Sequence, residues 1–304
     1  MTAPRTERRA VNKTSGCGSD GLRLLATPMP TTSIPALSMA AMVLLSGCAT
    51  APMTKGGSLS SYDNMAPSDG VLAKSLVRVS RVDILAAKTV RIVPAAFSQA
   101  ASPTLSTKQR ALVANAIDRS LCVGLSERLE VVGADRPADL TAHVLVTQAA
   151  PTDEVAAGAS KVVSLVPAVL GVPAPIPRLP IGLGSLTLEA EAQDRTGKQQ
   201  AAMIWARGAN SFTNSPTVSA AGDAYDLATA FGGDFSQLLV TGETPFGTTP
   251  KLPSLDKIGS SLGGKPKNAA CEAFGRSPGV AGMIAEKVGM PPEWSDKGAA
   301  ASEQ

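Results

Sequence analysis

Leu186-Thr-Leu-Glu-Ala-Glu-Ala192, the turn Asp194-Arg-Thr-Gly197 and the return Gln200 to Arg207 read together as one β-hairpin. Leu186, Leu188, Ala190 and Ala192 alternate with Thr187, Glu189, Glu191 and Gln193. That period of two sends one set of side chains to each face of a strand. A Gly at the end of a polar turn suits the tight connection. The expectation is an apolar face on a core, with the carboxylates of Glu189 and Glu191 in solvent.

A second alternating stretch lies upstream, where Leu140, Ala142, Val144 and Val146 interleave with Thr141, His143, Leu145 and Thr147. Between the N-terminal region and that strand stands the clearest helix, Ser106 to Leu129. Val113, Ile117, Leu121, Leu125 and Leu129 recur every four residues, an apolar stripe for a sheet to cover. Ser106 and Gln109 have the spacing of a capping box. Thr89 to Val93 reads as a strand ended by Pro94, and Val131-Val132 begins another. Asp223 to Leu239 is a second amphipathic helix, with Leu227, Phe231, Phe235 and Leu238 on one side. Strand, helix, two strands, helix, hairpin, helix: this order predicts an α+β fold, a mainly antiparallel sheet with amphipathic helices packed on one face.

Val155 to Leu170 is rich in Ala, Val and Leu and is expected to be helical up to Pro167. The run is apolar on several sides and is followed by prolines. Val162, Val163, Leu165 and Val166 are therefore expected not to be all buried. Pro173 to Pro180 can only be an extended loop. From Thr244 onward Gly, Pro, Ser and Lys dominate.

The N-terminal part carries an address. Val43-Leu44-Leu45-Ser46-Gly47-Cys48 resembles the lipobox of bacterial lipoproteins, with Leu45, Ser46 and Gly47 before a cysteine. Cys48 would be lipidated and the chain cut before it. The apolar run Ile34 to Leu45 suits a signal-peptide core and falls short of the roughly 20 residues a bilayer span needs. Its positive charges lie unusually far upstream, so Met29 and Met39 are alternative starts. The expected division is a signal peptide (1–47), a lipidated N-terminus and flexible tether (48–57), an α+β domain (58–243) and a Gly/Pro-rich extension (244–304).

Charge agrees with that division. Of 28 Lys and Arg and 25 Asp and Glu, five and two lie in residues 1–47, leaving 23 of each from Cys48 onward. A neutral body argues against nucleic acid as a partner, which requires a concentrated basic face. Cys17 leaves with the signal segment, and Cys48 takes the lipid. Cys122 and Cys271 remain, and in an oxidising compartment they are expected to pair as a disulfide that ties the tail to the long helix.

The Gly57-Ser-Leu-Ser-Ser-Tyr62 opening, the strand Lys88-Thr-Val-Arg-Ile-Val-Pro94, the long helix, and the Leu186–Ala192 and Met203–Arg207 hairpin together resemble one family. It is the Gram-negative lipoproteins of domain of unknown function 3313, over roughly residues 55–240. The resemblance implies an outer-membrane lipoprotein and brings no known active site. The tail from Thr244 departs from the family pattern.

No motif assembles an enzyme. His143, the only histidine, sits in mid-strand, so a metal site or a Ser-His-Asp triad would rest on it alone. Gly259-Ser-Ser-Leu-Gly-Gly264-Lys265 begins like a phosphate loop, but Pro266 stands where a Ser or Thr should hold magnesium. Ser254-Leu-Asp-Lys257 has the Ser-x-x-Lys spacing without its companion motifs. Glu189 and Glu191 face one way and could serve acid–base work in a cleft, yet they read better as the wet face of a sheet. Asp223 and Asp226 suit the first turn of a helix. No catalytic residue, metal or cofactor is expected. The reading is a non-enzymatic outer-membrane lipoprotein, an envelope adaptor or assembly and structural factor that meets a protein or peptidoglycan. The alternative is a periplasmic binding module holding an apolar ligand.

Overall fold

A computed structural model describes residues 51–169, 177–247 and 252–298; of residues 165–169 only the backbone is described. The chain runs β1 (Ala66–Pro67), β2 (Lys74–Val79), α1 (Arg81–Ala86), β3 (Thr89–Ile92), β4 (Ala96–Phe97), α2 (Thr107–Leu125), β5 (Glu130–Val131), β6 (Leu140–Ala150) and α3 (Glu154–Val169). It continues through β7 (Ser185–Asp194), β8 (Gln199–Gly208), α4 (Gly222–Thr241), α5 (Leu255–Ser261), α6 (Gly279–Lys287) and α7 (Pro292–Ser295). The described strands form one open sheet, ordered β1-β2-β8-β7-β6-β3-β5, with β4 also paired to β6.

The fold is α+β and the sheet is mostly antiparallel, as the strand and helix pattern predicts. One edge differs: β3 and β4 run parallel to β6, and β5 runs parallel to β3. The cause is the α2 connection, because a helix between strands carries the chain back to its starting end. Pro94 does not end the strand outright. It interrupts it, and pairing with β6 resumes at Ala96. Pro94 has no N–H to give, and the Ala95 N–H turns away from the sheet to donate to both carboxylate oxygens of Asp118 on α2, at 2.9 and 3.1 Å.

The helices cover one face. Val90, Ile92, Leu140, Ala142, Val144 and Val146 from the parallel side meet Leu188, Ala190, Met203 and Trp205 of the hairpin beneath α2 and α4. Trp205 and Phe231 pack edge to face at 5.7 Å, and Phe231 stacks on Phe235 at 5.8 Å. Each such large side chain is worth about 1.5–3 kcal/mol on burial. The Trp205 Nε1–H is satisfied by Asp234 at 2.8 Å. At the start of α2, Ser106 Oγ accepts the Gln109 N–H and the Gln109 side chain accepts the Ser106 N–H, a complete capping box.

The sequence leaves Lys74–Val79 unassigned, and it is the strand beside β8. Helix α3 runs through Pro167 to Val169 rather than stopping at the proline. The loop expected at 173–180 lies outside the described residues up to 176. Ser254 is the N-cap of α5 and accepts the Lys257 N–H, which accounts for the Ser-x-x-Lys spacing, and the Gly/Ser run 259–265 is the end of that helix and its turn.

The tail is held by more than one tie. Cys122 and Cys271 form a disulfide, with 5.7 Å between their α carbons. Asn268 donates to Ser126 Oγ and to the Leu129 carbonyl, and Asn115 to the Phe274 carbonyl. Further along, Arg119 of α2 forks onto Asp296 in a buried ion pair, with Nη1–Oδ1 at 3.2 Å, while the Tyr225 hydroxyl donates to Asp296 at 2.5 Å. Burial works against the Asp296 carboxylate, and Arg119 and Tyr225 outweigh it and hold the group below its usual range.

Candidate functional site

The hairpin carboxylates are not in solvent. Glu189 and Glu191 point away from the helix face, as the alternation requires, but they are 1% and 4% exposed. What covers them is the segment from Pro52 to Tyr62, which runs across the outer face of the sheet as a strap. The expected tether (48–57) is thus pinned at its C-terminal end.

The bonding is dense and ordered. Glu189 accepts the Gly56 N–H at 2.6 Å, the Ser58 N–H at 2.9 Å, the Ser58 hydroxyl at 2.5 Å and the Tyr62 hydroxyl at 2.8 Å. Glu191 accepts the Ser60 N–H and hydroxyl, both at 2.8 Å, and the side-chain amides of Gln193 and Gln199 at 2.6 Å. Thr187, one step earlier on the same face, donates to the Pro52 carbonyl at 2.9 Å. Thr187, Glu189 and Glu191 therefore grip Pro52, Gly56/Ser58 and Ser60 in succession.

Burial pushes the Glu191 carboxyl up; the donors Gln199, Ser60 and Gln193 outweigh it and leave the group below the usual carboxylate range. Burial, then the bond to Glu189, raises the Tyr62 hydroxyl. A small apolar seam completes the contact: Leu59 packs with Ala202 and Ile204, flanked by Met53, Tyr62, Met65 and Leu76. Two glycines let the strap approach. A β carbon on Gly56 would stand 2.3 Å from Thr147 Cγ2, and Gly57 adopts a φ of 78°.

The alternation places Glu189 and Glu191 on the correct face and carries no sign that they are covered. The strap does carry one. Ser58 and Ser60 repeat with the same period of two as the glutamates, which is what two extended segments in register require. Their pairing across about 130 residues is a tertiary fact, and neither segment alone names its partner.

The other candidate residues separate. His143 lies opposite Glu191 on β6 and is half-buried. It borders a groove of about 700 Å³ lined by Arg91, Thr141, Gln193, Asp194 and Arg195. Asp223 is not a mere first-turn charge: it pairs with buried Arg178 at 3.1 Å and accepts the Gly184 N–H at 2.7 Å. Asp226 lies beside a cavity of about 250 Å³ between α4 and α6, shared with Thr217, Met283, Glu286 and Met290. Burial, then the charges of Glu286 and Asp223, raises its carboxyl well above the usual range. Among the described residues no group of three or more His, Cys, Asp and Glu is placed to hold a metal ion. No helix among them is long and apolar enough to cross a membrane. Leu45, Ser46, Gly47 and Cys48 lie outside the described residues.

The family model described as a protein of unknown function, DUF3313, matches residues 54–235, and the chain belongs to that family. The match opens inside the strap and closes within α4, so the tail lies beyond it. No curated protein matches. Among solved structures, the chain is similar to the PelC dodecamer from Paraburkholderia phytofirmans, at 9% identity and a TM-score of 0.34, covering 56% of this chain and 99% of that one. A point variant of the same dodecamer gives 12% identity and a TM-score of 0.32 over the same shares. Likeness that faint carries no argument.

Proposed function

We propose that this chain is a non-enzymatic lipoprotein of the outer membrane, joined to lipid through Cys48, whose body acts as an envelope adaptor or assembly and structural factor. The observation that carries the reading is the strap. The segment that follows the lipobox cysteine is clasped by two buried carboxylates, so the body is bound to its own anchor by specific bonds. Glu189 and Glu191, the pair best placed for acid–base work, spend their acceptor positions on strap donors and, for Glu191, also on the Gln193 and Gln199 amides, which supports a holding role over a catalytic one. The two grooves beside His143 and Asp226 are lined by Arg91, Arg195, Asp226 and Glu286, which suits a polar contact better than an apolar ligand.

Detergent phase partitioning of the wild type and Cys48→Ala tests the anchor. The wild type is expected in the detergent phase, and the variant in the aqueous phase or as uncut precursor. Density separation of inner and outer membranes tests the location. Capture from solubilised envelope, followed by mass spectrometry, identifies the protein or peptidoglycan partner. A wild type that stays aqueous overturns the reading.

A further inference from the structure

Pro52 accepts from Thr187 near the end of the sheet where β6 stops at Ala150, β7 starts at Ser185 and β8 stops at Gly208. Traced backwards from Ser60 through Gly56 to Pro52, the strap leaves the body at this end. Cys48 stands four residues earlier, within about 14 Å of Pro52 even at full extension.

The same end carries unusual apolar surface. Helix α3 follows β6 here, and residues 177–184 lead into β7. It exposes Val155, Ala159 and Val162 at a spacing of four and three, while Ala157 and Ser160 on its other side are buried. Val162 is 66% exposed. Ile181, just before β7, and Phe212, just after β8, are also exposed, Phe212 at 77%. Val71, in the turn before β2, joins them at this end, because Lys74 pairs with Ala206. Exposed Lys74, Asp153 and Glu154 border these groups, and the opposite end sets Lys88, Arg136, Asp139, Asp194 and Arg195 beside exposed Val82 and Leu85. Leu255, Ile258 and Trp294 of the tail are exposed too, but nothing ties the chain's exit to them.

A stripe of valines on an exposed helix face costs solubility unless it meets an apolar partner. We propose that Val155, Val162, Ile181 and Phe212 form a second membrane contact: the α3 end of the sheet lies on the lipid surface that holds Cys48, with α3 in the plane of the interface. The occupant follows from the exit of the chain, since a tether this short brings that end, and not the opposite one, to the bilayer. This rests on the lipid-anchor reading.

With Cys48 acylated and Cys122 bonded to Cys271, Val162→Cys supplies the free thiol of the mature chain. An environment-sensitive dye there is compared with one at Val82→Cys on α1, an exposed site at the opposite end. Both full-length lipidated proteins are placed in phosphatidylethanolamine–phosphatidylglycerol vesicles containing brominated lipid. The expected result is a blue shift at position 162 and quenching there at least about twofold stronger than at position 82. Equal, weak quenching in protein that partitions into detergent overturns the contact and leaves the anchor standing. Protein that fails to partition overturns both. A dye at position 162 that is shielded in lipid-free detergent, on a particle of doubled mass, assigns the face to a second copy and also overturns the proposal.

Discussion

Glu189 reaches Gly56 across 133 residues of sequence, accepting its N–H at 2.6 Å with the Ser58 and Tyr62 hydroxyls on the same carboxylate. A carboxylate that accepts only can satisfy four donors, whereas an amide would turn an NH2 group toward some of them. The bond is therefore a test of what holds the strap against the sheet.

Glu189→Gln is expected to destabilise the protein by about 2–4 kcal/mol, because charge-assisted bonds are lost and buried donors are left facing a donor. Limited proteolysis should cut the strap between residues 52 and 62 first. Gly56→Ala should cost about 1–3 kcal/mol through its clash with Thr147 Cγ2. Thr147→Ser in the same chain removes that methyl and should restore most of the loss. Denaturant melts of the two single variants and the double variant decide this; additive losses would refute the clash.

Acid should release the strap. Glu191 is held below its usual range in the folded chain, so its contribution is present above the ordinary carboxylate pKa. It is lost as pH falls through the lower folded value. Glu191→Gln should flatten that part of the stability curve. A wild type and variant with parallel curves below about pH 4.5 would refute the assignment.

Asp118 works in the other direction. Burial raises its carboxyl to about 7, even though the Ala95 N–H pulls it down. A raised folded value means that its contribution is complete below the unfolded pKa and is lost as pH rises toward 7. Asp118→Asn keeps an oxygen for Ala95 and removes the charge. Between pH 4 and 7 the wild type should lose up to about 4 kcal/mol relative to this variant. Thermal melts across that range measure it, and a constant difference would overturn it.

The tail should survive loss of its disulfide. In the chain-entropy model a loop of 149 residues is worth roughly 5 kcal/mol, yet Arg119, Tyr225 and Asn268 hold the tail independently. Cys271→Ser is expected to lower stability and speed amide exchange in 268–274, with residues near Asp296 still protected. Asp296→Asn added to it should release the tail as a whole. Full release by Cys271→Ser alone would show that the polar contacts carry little. Alkylation without reductant checks the bond directly, since the mature wild type should yield no labelled Cys122 or Cys271.

What the sequence determined by itself was local. The period of four in Val113, Ile117, Leu121 and Leu125, and the period of two in Leu186 to Ala192, specify a helix and a strand and which face each buries, because side-chain direction follows from backbone geometry. The capping pair Ser106 and Gln109 is local for the same reason, and the pairing of Cys122 with Cys271 was expected from a count of cysteines outside the N-terminal segment. The tertiary structure decided everything that depends on a partner distant in sequence. The parallel edge follows from where α2 returns the chain. The burial of Glu189 and Glu191 follows from a strap whose first part, up to Gly57, reads in the sequence as a flexible tether. A carboxylate on a strand has the same alternation whether water or a neighbouring amide satisfies it, and only the fold brings Gly56, Ser58 and Ser60 to the positions water would have filled.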